Sequence, residues 1–178
     1  MSLRLQWVAD PDSLDDDRLT DLVSCWTRVS NAGGAVGFPF LPVEDAAVVE
    51  AAAALRASLD ASHRLLLALH GADLAGWLTL RLNTSPLTAH WGVVSRVQTD
   101  LEFRGLGNGR ELMTEAARMA SSLGLEQLHI AVRSGQGIEG FYANLGWQTV
   151  GRWPSALRLG PRDDRDEVFM MLRLPAPG

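Results

Sequence analysis

Apolar and polar positions change period several times along the chain, and each change marks an element. Residues 3–9 alternate weakly and predict a strand. Ser13, with Asp16 three residues on, reads as a helix start. Leu19, Leu22, Val23, Trp26 and Val29 then recur at helical spacing. Asn31 and the glycines that follow end that helix and open a loop, NAGGAVGFPFLP. Pro42 and Val43 lead into a second, alanine-rich helix that runs to about Leu59. Residues 64–70 form a continuous apolar run, as in a strand buried on both faces. A tight turn at 71–73 precedes a strand over 74–82, whose alternation sets Leu74, Leu78, Leu80 and Leu82 on one face.

After a polar break at 83–88, residues 91–99 predict another strand and 104–109 form a glycine-rich turn. The helix beyond carries Leu112, Met113, Ala116, Ala117 and Ala120 inward and stops at Gly124. Leu128, Ile130 and Val132 alternate in a further strand. Residues 137–145 form a short helix stopped at Gly146. Strands at 147–152 and 167–174 complete the pattern, with the charged run GPRDDRD between them as a turn or hairpin tip. The order is β-α-α-β-β-β-α-β-α-β-β. Short turns between neighbouring strands imply antiparallel pairs, and the later helical crossover implies a parallel pair. The expected class is α/β (α+β), a mixed, mostly antiparallel central sheet with helices on both faces. A length of 178 residues fits one domain spanning 1–178.

Composition narrows the chemistry. All 16 basic side chains are arginine, and there is no lysine. This excludes a P-loop NTPase, protein-kinase chemistry and Schiff-base chemistry, each of which needs a lysine amine. Arginine does not lose its proton near neutral pH and cannot substitute. The bias itself reads as the product of a GC-rich genome. The net charge of −5 argues against nucleic acid as a partner and weakly favours a cationic substrate. Cys25 is the only cysteine, so no intrachain disulfide forms and a reducing, cytoplasmic setting is expected. Its place in an apolar helical stripe reads as core packing rather than as a nucleophile. No apolar run is long enough to predict a membrane span. No metal site is expected.

The stretch that carries chemistry is Arg104-Gly105-Leu106-Gly107-Asn108-Gly109, followed by Arg110. It follows a strand and opens a helix. A helix start offers free N–H groups and the positive end of the macrodipole. Glycines let a diphosphate approach the backbone, and Arg104 and Arg110 can add charge-assisted bonds. The plain alternative is a glycine-rich turn with no ligand. A dinucleotide site fits poorly, because its ribose-binding acid belongs at the end of the next strand, whereas Glu126 begins that strand.

The pattern Arg104-x-x-Gly107-x-Gly109 after VSRVQT resembles the acetyl-CoA signature of the GNAT-superfamily N-acetyltransferases. The run Phe141-Tyr142-Ala-Asn-Leu-Gly146-Trp147 is similar to that superfamily's second signature. The resemblance covers nearly the whole chain and is most specific over 91–151. AGGAVGF at 32–38 and FYANLGW look most like the tabtoxin-resistance acetyltransferases. The resemblance implies acetyl-CoA as co-substrate, with the sheet splayed between the strands at 91–99 and 126–133. Backbone groups of Val97 and Thr99, with Gln98 between them, would hold the acetyl and pantetheine portions. The N–H groups from Arg104 through Leu106 and Asn108 to Gly109 would cradle the pyrophosphate. Homodimers are frequent among such proteins, so a homodimer is compatible with the resemblance.

Acyl transfer needs a neutral amine, yet a lysine-like amine with pKa about 10.4 is under about 0.1% neutral at pH 7. The leaving thiolate also benefits from an acid. Tyr142, the only tyrosine, matches the family's acid position. Its alternative is a core aromatic with a bonded hydroxyl. The positions matching the relatives' carboxylate bases are Val93 and Ala131, and neither takes a proton. Remaining candidates are His90, His129, Glu102 and the cluster Asp163–Glu167, each with an ordinary surface or packing reading beside it. The loops at 31–42 and 153–166 and the strand at 74–82 would form the substrate side, where Phe38, Phe40 and Trp153 either line a pocket or pack. The resemblance thus implies an N-acetyltransferase acting on a small-molecule primary amine, such as an antibiotic, toxin or amino-acid-like metabolite. Acetylation of proteins or peptides, and a non-catalytic acyl-CoA-binding module, are the alternatives.

Overall fold

The structure, a computed structural model, describes residues 2–34 and 37–175. Met1, Ala35, Val36 and 176–178 lie outside the described residues, so the loop expected after the first helix is described only in part. The strands are β1 (Leu3–Val8), β2 (His63–His70), β3 (Asp73–Leu82), β4 (Trp91–Thr99), β5 (Gln127–Arg133), β6 (Gln148–Gly160) and β7 (Asp163–Arg173). The helices are α1 (Asp16–Asn31), α2 (Asp45–Ala57), α3 (Asn108–Ser122) and α4 (Ile138–Ala143). They occur in the order the hydrophobic pattern predicts.

The start of α1 differs from the expectation. Ser13 belongs to a short 3-10 turn, Pro11–Ser13, and Asp15 caps the helix by accepting from the Arg18 N–H at 2.7 Å. Asp16 and Asp17 then place negative charge at the positive end of the dipole. Leu22, Cys25, Trp26 and Val29 form the buried stripe of α1, and Val48, Ala52 and Leu55 that of α2.

The seven strands form one sheet in the order β1-β2-β3-β4-β5-β7-β6. Every neighbouring pair is antiparallel except β4–β5. Alternation along β2 divides the core. Leu65, Leu67 and Leu69 meet α1 and α2 on one face, while Leu66 and Ala68 meet α3 on the other. In β3 the alternation slips. Leu69 pairs with Leu74 and Ala68 with Gly76, so Ala75 is an extra residue. Leu74 therefore lies with Trp77 on the α1 face, opposite Leu78 and Leu80, and the expected four-leucine face is corrected.

The final hairpin is also corrected. GPRDDRD does hold the hairpin tip, at Pro161 and Arg162, but the turn is shorter than expected, because Asp163–Asp166 are already in β7 and β6 continues to Gly160. Arg158 holds Asp164 at 2.8 Å and Arg152 holds Asp166 at 2.9 Å. These partly exposed charges form rungs between the two strands.

Candidate active site

Two irregularities in β4 open the sheet. Thr79 pairs with Ser95 and Trp77 with Gln98, so β3 supplies one residue, Leu78, where β4 supplies Arg96 and Val97. Arg96 absorbs the bulge at φ +52°, a conformation that non-glycine residues seldom adopt. Its side chain consequently joins Ser95 on the α1 face, with the guanidinium 5.4 Å from the Trp26 ring. The parallel pairing of β4 with β5 covers only Trp91 with Gln127, Gly92 with Leu128 and Val93 with His129. Beyond that point the strands part, and the expected splay is present.

A cavity of about 750 Å³ fills the gap. Val93 to Thr99 line one wall and Ile130 to Arg133 the other. At the α3 end stand Phe103, Arg104, Gly105, Gly107, Asn108, Gly109 and Arg110. Val97, Gln98, Thr99 and Tyr142 line it as well, whereas exposed Leu106 does not.

The glycine-rich turn fits a phosphate-bearing group. Gly105 and Gly107 have φ of +79° and +84°, and a Cβ on either would meet nothing within 4 Å. Gly107 is the N-cap of α3, and no side chain caps it. The first N–H groups of the helix are thus left for another acceptor. Arg104 and Arg110 are exposed and form no ion pair among the described residues. The turn is held from behind. Buried Asn108 donates to the Phe103 carbonyl at 3.0 Å, and its oxygen lies 3.1 Å from the His70 ring. His70 in turn stacks on Phe103. The Asn108 side chain is therefore spent on the protein, which leaves only its backbone for a ligand.

Tyr142 lies on α4, is 2% exposed and contacts both Phe141 and Trp147 edge-on. Burial pushes its phenol well above the ordinary value, so it keeps its proton. Packing in the core and a place on the cavity wall are both true of it.

The proton-accepting candidates separate clearly. Val93 and Ala131, the positions that the resemblance matches to the relatives' carboxylates, line the cavity, and neither side chain can take a proton. His129 stacks on Trp91 at 4.2 Å and pairs with Gln127 at 3.2 Å, outside the cavity. Burial and nearby His90 lower its pKa. His90 and Glu102 are exposed and also lie outside. Glu167 alone of the candidate cluster lines the cavity, because Val168 beside it in β7 packs into the α3-side core and alternation turns Glu167 to the other face.

Around this end, Arg133 donates to the Gly33 carbonyl at 2.5 Å and Gln136 to the same oxygen at 2.8 Å. Phe38 packs on Trp26, while Phe40 and Trp153 are exposed. Cys25 is fully buried, and burial with nearby Asp100 pushes its thiol up to about 12, in keeping with packing.

The family model of the acetyltransferase (GNAT) domain matches residues 42–154. A structure described as a candidate phosphinothricin N-acetyltransferase superposes with TM-score 0.78 at 19% identity, covering 98% of this chain and 99% of its own. The ribosomal-protein-S18-alanine N-acetyltransferase of Escherichia coli gives 0.72 at 14%, covering 98% and 97%. A Salmonella typhimurium protein, yncA, assigned as an acetyltransferase and solved with acetyl-CoA, gives 0.73 at 14%, covering 98% and 95%. No curated protein matches the chain in sequence.

Proposed function

The chain belongs to the GNAT acetyltransferases and takes acetyl-CoA as its acyl donor, and from that premise we propose that it acetylates a primary amine of a small molecule. Bound acetyl-CoA supplies an acetyl group activated as a thioester. The N–H groups of residues 104–109 and the arginines Arg104 and Arg110 hold its diphosphate. The β4 backbone at Val97 and Thr99 offers hydrogen bonds to the arm, left unpaired by the splay. Tyr142, which burial keeps protonated, delivers a proton to the departing sulfur from its place on the cavity wall.

The observation that favours a small amine is the clasp at the α1 end. Arg133 and Gln136 both bond the Gly33 carbonyl, tying the segment after α1 to β5 and the loop beyond it. The tie stands on the cavity wall, which Gly34, Arg133 and Gln136 line, and a wall fixed in this way suits a small amine. A second reading, an acyl-CoA-binding module without turnover, draws support from Val93 and Ala131 in the cavity wall. A cytoplasmic setting and assembly as a homodimer accompany the first reading. The lone buried cysteine supports the former, and the family's habit supports the latter.

Thiol release from acetyl-CoA is to be measured against aliphatic, aromatic and amino-acid amines and against peptides. Turnover confined to the small amines is expected, and Tyr142→Phe is expected to lower kcat about a hundredfold or more with little change in acetyl-CoA affinity. Turnover on peptides alone, or binding without turnover, replaces the reading. An unchanged kcat in the variant removes Tyr142 from the acid role.

A further inference from the structure

The acyl-transfer site needs a group that receives the amine, and both positions where relatives carry a carboxylate are apolar here. A carboxylate nevertheless reaches the cavity from another strand. On β7, Val168 and Met170 pack into the α3-side core, so Glu167 and Phe169 project to the opposite face. Glu167 stands across the ladder from Arg133, on the α1 side. It is half-buried, and it is the only carboxylate lining the cavity among the described residues.

Its lack of a partner sets it apart from its neighbours. Asp163 pairs with Arg165, Asp164 with Arg158 and Asp166 with Arg152. The Glu167 carboxylate forms no hydrogen bond or ion pair among the described residues, although an arginine faces it in register. That arginine, Arg133, is turned to the Gly33 carbonyl instead. A carboxylate left unpaired beside a clasped arginine has an acceptor site free for a cation.

Resting on the acetyltransferase reading above, we propose that Glu167 receives the substrate's ammonium group and accepts a proton from it during transfer. The proton count closes. An ammonium carries three N–H bonds and the amide product one, so two protons leave. The C–N bond forms from the nitrogen lone pair, and the thioester C–S bond breaks with its electron pair on sulfur. One proton passes to the Glu167 carboxylate and on to water at the open side of the cavity. The other replaces the proton that Tyr142 gives to sulfur. Transfer to a carboxylate is uphill from a free ammonium, whose pKa is about 6 units higher. That first proton leaves before attack and frees the lone pair, and acylation, which removes the nitrogen's basicity, makes loss of the second proton downhill.

The test compares wild type with Glu167→Gln, which keeps the shape and removes the charge, and with Glu167→Asp. Two readouts are taken. The melting temperature of each protein with CoA is measured with n-butylamine, benzylamine and glycine, and with n-butanol and benzyl alcohol as uncharged controls. Steady-state thiol release is measured with the same amines and the wider panel above. The amines but not the alcohols are expected to raise the melting temperature of wild type, and Glu167→Gln is expected to lose that rise. Its kcat/KM is expected to fall about a hundredfold or more, with acetyl-CoA affinity unchanged and partial recovery in Glu167→Asp. Wild-type-like turnover in Glu167→Gln overturns the proposal while leaving the acetyltransferase reading in place. Failure of every amine both to stabilise wild type and to turn over also overturns it. In that case acetyl-CoA binding without turnover points to the acyl-CoA-binding reading.

Discussion

At Gly107 backbone conformation and ligand chemistry meet. Its φ of +84° costs little for glycine and more for any residue with a Cβ, and the space a Cβ would enter is open. We expect Gly107→Glu to weaken acetyl-CoA binding at least tenfold, about 1.4 kcal/mol, by placing bulk and like charge at the diphosphate. Asparagine adopts the left-handed conformation more readily and carries no charge. Gly107→Asn is therefore expected to lose less. Calorimetric titration with acetyl-CoA separates the two, and full affinity in the glutamate variant would falsify the phosphate assignment. Glu167 illustrates the opposite case at the same scale. In the sequence it opens the strand over 167–174 while Asp163, Asp164 and Asp166 precede it, and that pattern does not say which carboxylate lacks a partner. Only the pairing of each of those aspartates with an arginine leaves it as the carboxylate without one.

At the scale of elements, β4 decides whether there is a site. Its bulge places one residue too many between two ladder pairs, and its pairing with β5 stops at Val93 and His129. Removing Arg96 matches Val97 to Leu78 and restores a regular ladder with β3. It also removes a residue held at positive φ, whose strain is on the order of 1 kcal/mol. The deletion variant is expected to melt no lower than wild type by much and to bind acetyl-CoA at least about tenfold more weakly. Calorimetry and thermal unfolding read the two effects separately. Retained affinity means that the bulge does not shape the cofactor wall. The β3 bulge at Ala75 and the extended β6–β7 hairpin belong to the same scale. Each arises from pairing with a neighbouring strand, and each altered an expectation drawn from alternation alone.

For the whole molecule, the absence of lysine has a chemical consequence. A protein that binds acetyl-CoA exposes its own amines to an acyl donor, yet this chain has no side-chain amine. Incubation with acetyl-CoA followed by peptide mass analysis is expected to place any N-acetyl group at the N-terminal amine, which lies outside the described residues. An N-acetylated internal residue contradicts this. The same composition leaves arginine and backbone amides as the cationic and polar partners for a diphosphate. In the proposed site backbone amides take this role, since no side chain caps the start of α3.

The sequence by itself determined the order of elements, the glycine-rich turn ahead of α3 and the family. All three are written in local terms: periodicity, helix stops, and glycines and arginines at fixed spacing. It also determined that Val93 and Ala131 cannot serve as bases, since that depends only on which side chains stand there. Tertiary structure decided the rest. The position of Asp15 rather than Ser13 as the α1 cap depends on how the chain turns at Pro11–Ser13. The face on which Leu74 lies depends on a bulge, which shifts alternation by one residue without leaving a mark in hydrophobicity. Glu167 reaches the cavity because β7 pairs with β5 and sets it across from Arg133 at the splayed end of the sheet. Partnering between strands is a long-range property, and it decided that this charged group of β7 lies beside the cavity.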